Sequence, residues 1–253
     1  MNWIGLKTLY IKEMRRTLAI PMQTILSPVL STMLYFVVFG GAIGANISSI
    51  NGVTYAQFIV PGLIMMSLVM NSLMASSSGI FFPKFIGTIY ELLSAPLSYL
   101  EITLGYVFSA ASRAMMIGLI IYLTSLFFTT VPVVHPFLAI VFSFMTALAF
   151  GLFGFVLGIW ADNFEKLNIF PTLILTPLSF LGGVFYSLDM LSPFWQNVSL
   201  FNPVVYMISG LRWSFFGVAD ISPVTSFMSI LIFLALSLGI VAWIFKTGYK
   251  LKD

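Results

Sequence analysis

The chain has 253 residues, 60% of them hydrophobic and only 8% charged, with a formal net charge of +3. Soluble domains carry about a quarter charged residues, so this composition excludes an ordinary water-soluble fold and makes a lipid bilayer the solvent. No Asp, Glu, Lys or Arg occurs from Thr17 to Pro83, from Ala114 to Ala161 or from Ile221 to Phe245, and cysteine is absent, which removes disulfides and thiol ligands.

Residues 1–20 read as an interfacial amphipathic helix. Trp3, Leu6, Tyr10, Met14 and Thr17 recur at i+3/i+4 spacing, with Lys12, Arg15 and Arg16 on the opposite arc and Lys7 able to snorkel. An ordinary basic flank of the first span is the alternative. The apolar run from Thr17 to Ala45 is about twice as long as a signal-peptide core, so a retained span is expected. At roughly 20 residues per crossing the chain has room for about six spans in one membrane domain, 1–253. They are expected near 22–44, 57–80, 102–128, 137–160, 168–188 and 223–245. The loops 46–56 and 129–136 hold no Lys or Arg, whereas every basic residue except Arg113 and Arg212 falls on the other side. Basic loops stay inside, so both termini are expected in the cytoplasm.

Two connections are more than loops. The segment 81–100 places Ile89, Tyr90, Leu92 and Leu93 beside Lys84 and Glu91 and stops at Pro96. A mixed helical segment of this kind suits docking into a protein groove, although contact with headgroups alone is also open. The segment 189–220 is apolar, rich in Phe and Trp, and broken by Pro203, so neither leg is long enough to cross and a re-entrant hairpin is expected on the external side.

Catalytic chemistry is largely excluded by subtraction. His135 is the sole histidine, so His-based triads, H-E-x-x-H sites and His-rich metal clusters cannot be assembled, and G-x-S-x-G is absent. Glu91 and Glu101 are loop residues, and Asp162 and Glu165 share a short turn with Lys166, a pattern better read as solvated than as an acid/base pair. No Walker A motif, potassium filter or ladder of arginines occurs. Energy for any transport must come from another subunit or an ion gradient. No metal or nucleic-acid partner is expected.

Arg113 is the ionisable residue placed well inside a span, about 18 Å along the helix from Glu101. An arginine there costs roughly 2.5–3.5 kcal/mol on insertion scales, so something must offset it. Either it meets an anionic headgroup in a polar cavity, or it is structural and bonds carbonyls or hydroxyls such as Ser109 and Ser112; no acidic residue lies at similar depth in another span. Pro28, Pro61, Pro171 and Pro177, with Gly62, Gly182 and Gly183, break or kink their helices, as transporters do at hinges and binding sites. Arg113, Pro61, Pro177 and Phe180 are the candidates for a translocation path.

Several stretches together resemble the ABC-2 type permeases of bacterial inner membranes. They are Tyr55 to Met66, Glu91 to Pro96, Pro171 through Gly182 to Ser187, Asn202 to Tyr206, and Ser209 to Arg212, in that order over nearly the whole chain. The resemblance implies a half-transporter of six helices that pairs with a second permease subunit, most simply as a homodimer, and with a separate ABC ATPase subunit that holds ATP and Mg. It also implies that Ile89, Tyr90, Glu91, Leu92 and Leu93 form the coupling helix that meets the ATPase. The substrate expected is an amphipathic, lipid-like, drug-like or glycan molecule exported across the bacterial inner membrane. A non-transporting scaffold or channel-like subunit is the rival reading, and an intramembrane enzyme is disfavoured.

Overall fold

The computed structural model describes residues 2–44, 49–50 and 52–250. Part of the 46–56 loop and Lys252 therefore lie outside the described residues. Helices follow in the order α1 (Trp3–Ala19), α2 (Ser27–Tyr35), α3 (Tyr55–Phe85), α4 (Ile89–Ser94), α5 (Tyr99–Ser125), α6 (Pro136–Trp160), α7 (Phe164–Ile169), α8 (Thr176–Leu181), α9 (Pro193–Ser199), α10 (Pro203–Phe216) and α11 (Pro223–Thr247). A two-residue hairpin, β1 (Ser49–Ile50) with β2 (Val53–Thr54), precedes α3.

Local chemistry explains the boundaries. Thr54 and Gln57 form a reciprocal capping box at the start of α3, as Ser98 and Glu101 do for α5, so four otherwise orphaned N–H groups find acceptors. Pro136, Pro193, Pro203 and Pro223 open helices, where the missing N–H costs nothing. Gly217 ends α10 at φ +73°, a left-handed conformation that side chains with a Cβ resist.

Among the described residues, five helical stretches are long and apolar enough to cross a membrane: Met22–Ala42, which contains α2, then α3, α5, α6 and α11. The expected 168–188 span falls on shorter pieces, with α7 and α8 joined by a π-helical turn, Phe170–Leu175. Pro171 and Pro177 lie in this run, and the Thr176 N–H reaches back five residues to the Pro171 carbonyl, which widens the helix without breaking it.

α3 is the centre of the molecule, packed by α5, α6 and α10. Lipid gives helices no hydrophobic reason to associate, so close backbone approach has to serve. Gly154 and Gly158 of α6 supply it, because a Cβ on either would collide with the Leu73 or Ser77 carbonyl of α3. Ser72, Ser76 and Ser77 on that side of α3 are fully buried and equally small.

Two expected surface elements are more deeply engaged than their composition suggests. α1 turns Leu9, Glu13 and Thr17 into the protein and leaves Trp3, Ile4 and Leu18 exposed, so the expected face is rotated by about one position at its start. Leu9 fills the space left by Gly105 of α5. α10, within the 189–220 segment, buries Val204, Val205, Met207, Ile208 and Leu211 against α3, α6 and α11.

Candidate translocation surface and coupling face

Leu63, Ser67, Asn71, Met74, Ser78 and Phe82 recur every three or four residues along α3 and share one face. From first to last this strip is about 28 Å long at 1.5 Å per residue, close to the hydrocarbon thickness of a bilayer. Two cavities open along it. Toward Leu63, a cavity of about 140 Å³ lies between α3 and α2 and takes Ser31, Thr32 and Tyr35 from α2. Toward Phe82, a larger one of about 590 Å³ takes Arg16 and Thr17 from α1, Gln23 and Thr24, and Arg113 from α5. Ser67 and Asn71 are buried, Met74 and Ser78 half-buried and Phe82 exposed, so the strip opens progressively toward the α4 end.

Arg113 donates from Nη2 to the Thr24 carbonyl at 3.3 Å, its Nε has no hydrogen-bond partner, and no carboxylate pairs with it among the described residues. Of the hydroxyls expected beside it, Ser112 bonds Tyr10 Oη at 3.0 Å and Ser109 bonds the Tyr106 carbonyl at 2.8 Å. Arg16 reaches the Ala75 carbonyl at 3.4 Å and is neutralised by Glu13 at 2.7 Å. Glu13 was not singled out by the sequence, yet it is only 3% exposed, and burial raises its pKa against the lowering effect of Arg16 and Lys12.

At the opposite end of α3, Arg212 is fully buried. It pairs with Asp220 at 3.0 Å, donates to the Gly183 carbonyl at 2.7 Å, and lies 3.9 Å over the Phe58 ring. Asp220 also accepts from the Ser187 hydroxyl. These contacts fasten α10 to the chain that follows α8. Gly183 holds φ +81° there, and Gly62 of α3 has no room for a Cβ, which would sit 2.7 Å from the Val184 carbonyl. Pro61 is buried beside this contact and Pro177 is exposed. Phe180 packs on Phe185, which stacks on Phe39 at 4.1 Å and neighbours Tyr35, so an aromatic cluster closes the Leu63 end of the strip. His135 stacks on Trp213 at 4.5 Å and its N–H bonds the Ser214 carbonyl, a packing role.

The residues Ile89 to Leu93 all fall on α4. Ile89 is buried in a cluster with Leu9, Ile102, Tyr106 and Phe245, Leu92 and Leu93 are partly buried against it, and Tyr90 and Glu91 face outward. Phe82, Phe85, Ile86 and Phe164 extend an exposed apolar patch beside them. The linker after α4 and the first turn of α5 are tied to the start of α1. The Asn2 N–H donates to the Glu101 carboxylate, Asn2 Nδ2 donates to the Pro96 carbonyl at 3.1 Å, and Leu97 packs over Gly5.

Asp162, expected in a solvated turn, gathers Lys166 at 2.7 Å, Lys250 at 2.8 Å and Lys84 at 3.7 Å. It joins the ends of α3, α6, α7 and α11 at one exposed point, and Lys166 and then Lys250 hold its carboxyl well below the usual range. No cluster of His, Asp and Glu fit for a metal occurs among the described residues.

α4, beside the end of α3, carries the residues Ile89 to Leu93 that the sequence resemblance assigns to a coupling helix. The profile of the ABC-2 type transporter family matches residues 5–216. The chain belongs to the ABC-2 type transporter family. It is 42% identical over 235 residues to the inner membrane transport permease YadH of Escherichia coli K12, covering 92% of this chain and 91% of that protein. Nodulation protein J of Rhizobium leguminosarum bv. viciae is 24% identical over 220 residues, covering 86% and 83%. Nodulation protein J of Sinorhizobium fredii is 25% identical over 215 residues, covering 83% and 80%. The chain is thus an ABC-2 type permease, a transmembrane component of a transport system.

Proposed function

We propose that this chain is the permease half of an ATP-driven exporter in a bacterial inner membrane, with six spans, the fifth assembled from α7, the π turn and α8. Both termini and α4 face the cytoplasm; α9 and α10 form the external re-entrant segment. Two copies enclose the path, and a separate ATPase subunit, carrying ATP and Mg, docks on α4 of each.

The observation that carries this reading is the strip on α3, which runs the depth of a bilayer from an open, cationic end near α4 to an aromatic closure near Phe180. A scaffold has no need of such a strip. Polar groups at membrane depth are costly and are found where they line a path or pair with one another. Closure of the ATPases presses α4, α4 moves α1, and α1 carries Arg16 and Thr17 of the cavity wall. Substrate that binds the inward-open form more tightly than the outward-open form is then released outside.

The test is affinity purification of the tagged permease from its native membranes, with mass spectrometry and an ATPase assay. A stoichiometric partner carrying a Walker A motif, with vanadate-sensitive hydrolysis, is the expected result. A pull-down without any ATPase, repeated after mild crosslinking, transfers the assignment to the scaffold or channel reading.

A further inference from the structure

We infer that the large cavity at the α4 end of the α3 strip is an entry site for the phosphate group of an anionic amphipath, with Arg113 as its principal contact and Arg16 as the second. The inference rests on the permease reading and gives it a substrate class.

Three observations carry it. The first is charge: Arg113 and Arg16 both line a space of about 590 Å³, and Glu13, which also pairs with Lys12, reaches Arg16 but not Arg113. A guanidinium offers five N–H donors; Arg113, which lines the cavity, spends one on a 3.3 Å bond to a carbonyl, and its Nε has no partner. Phosphate oxygens match that fork bidentately, and in low dielectric such charge-assisted bonds are the strong ones.

The second is composition. Around the arginines stand Gln23 and Ser78 as polar partners, with Ile20, Met74 and Phe82 as apolar ones, an arrangement that suits a charged group on an apolar stem. The third is depth. Arg113 is about 21 Å along α5 from Tyr99, whereas a lipid at rest around the protein keeps its phosphate at the membrane surface. A phosphate that reaches Arg113 has been drawn inward, to the start of the strip formed by Ser78, Met74, Asn71 and Ser67.

The test is equilibrium binding of radiolabelled dioctanoylphosphatidylglycerol to the purified full-length permease in dodecyl maltoside. Dioctanoylglycerol, which lacks the phosphate, and inorganic phosphate serve as competitors. Saturable binding that Arg113→Gln weakens about tenfold or more is expected, since one charge-assisted contact is worth roughly 1.5–3 kcal/mol. Ser78→Leu, which fills the cavity and leaves the arginine in place, should weaken it as well, and Lys246→Gln, remote from the cavity, should not. Inorganic phosphate that competes in the same concentration range assigns the site to the free anion, and failure to compete assigns it to the lipid-borne group. Wild-type binding that Arg113→Gln and Ser78→Leu leave unchanged, or equal competition by dioctanoylglycerol, overturns the inference. The assay uses no ATPase, so its failure leaves the permease reading standing, and an absent ATPase partner leaves this site standing.

Discussion

Two arginines flank α3, Arg113 from α5 and Arg212 from α10, and the two are treated in opposite ways. At the α10 end, Arg212 is paired with Asp220, bonded to the Gly183 carbonyl and covered by Phe58, so although its Nε lacks a partner the charge is compensated on every open side. At the α4 end, Arg113 has one long bond to Thr24 and an open cavity in front of it. A charge that is sealed holds structure together; a charge left open is available to something that arrives. The contrast divides the permease into a fixed end and a working end.

The largest effect should come from breaking the fixed end. Arg212→Ala leaves Asp220 buried without its partner and should destabilise the fold by about 3–5 kcal/mol, read as loss of the monodisperse peak in size-exclusion chromatography and a lowered melting temperature. Arg113→Ala removes no ion pair and should leave both nearly unchanged; equal losses in the two variants would break the comparison. At the working end, Glu91→Lys reverses the outward charge on α4 and should abolish substrate-stimulated ATPase activity of the reconstituted complex while the subunit stays folded. Stimulation at the wild-type level would remove α4 from the coupling role.

A smaller, opposite change is expected at Glu13. Glu13→Gln leaves Arg16 un-neutralised and should raise affinity for dioctanoylphosphatidylglycerol by about three- to tenfold, the size of one partly screened charge interaction; weaker binding would mean that Glu13 shapes the cavity instead. The smallest effect concerns Asp162. Its pKa in the folded state is depressed, so its contribution to stability is present above the ordinary Asp value of about 3.9 and is lost as pH falls through the lower folded value. Melting temperatures of wild type and Asp162→Asn should therefore differ at pH 7 and converge as the pH is lowered below about 3; a constant gap would show that the lysines are held by something other than its charge.

Much of the fold could be read from the chain because membrane spans announce themselves by what they lack. The charge-free runs located α2, α3, α6 and α11, α5 was recognised as a span despite Arg113 within it, and Pro203 divided α9 from α10. The helix ends were less legible, although Thr54 with Gln57 and Ser98 with Glu101 carried the capping-box spacing that sets the starts of α3 and α5. The site was legible only in part. Arg113 stood out by depth and Ile89 to Leu93 by their mixed character, whereas the α3 strip escaped notice because Ser, Asn and Met at helical spacing do not interrupt hydropathy. The burial of Glu13 and of Arg212 was not legible, since burial of either depends on which face of α1 or α10 meets the protein. The pairing of Arg212 with Asp220 did have a signal: both lie in one short apolar segment, eight residues apart, with Gly217 between them to turn the chain back.

We propose α4 as the place where a separate ATPase drives this permease. The chain contains no cysteine, so a Glu91→Cys variant carries a single reactive thiol. Expressed in its native cell and treated with a short thiol-to-amine crosslinker, that variant should yield one discrete adduct whose partner contains a Walker A motif, and Ser192→Cys, at the other end of the molecule, should yield none. An adduct with the ATPase from Ser192→Cys, or no ATPase adduct from Glu91→Cys, would contradict the account.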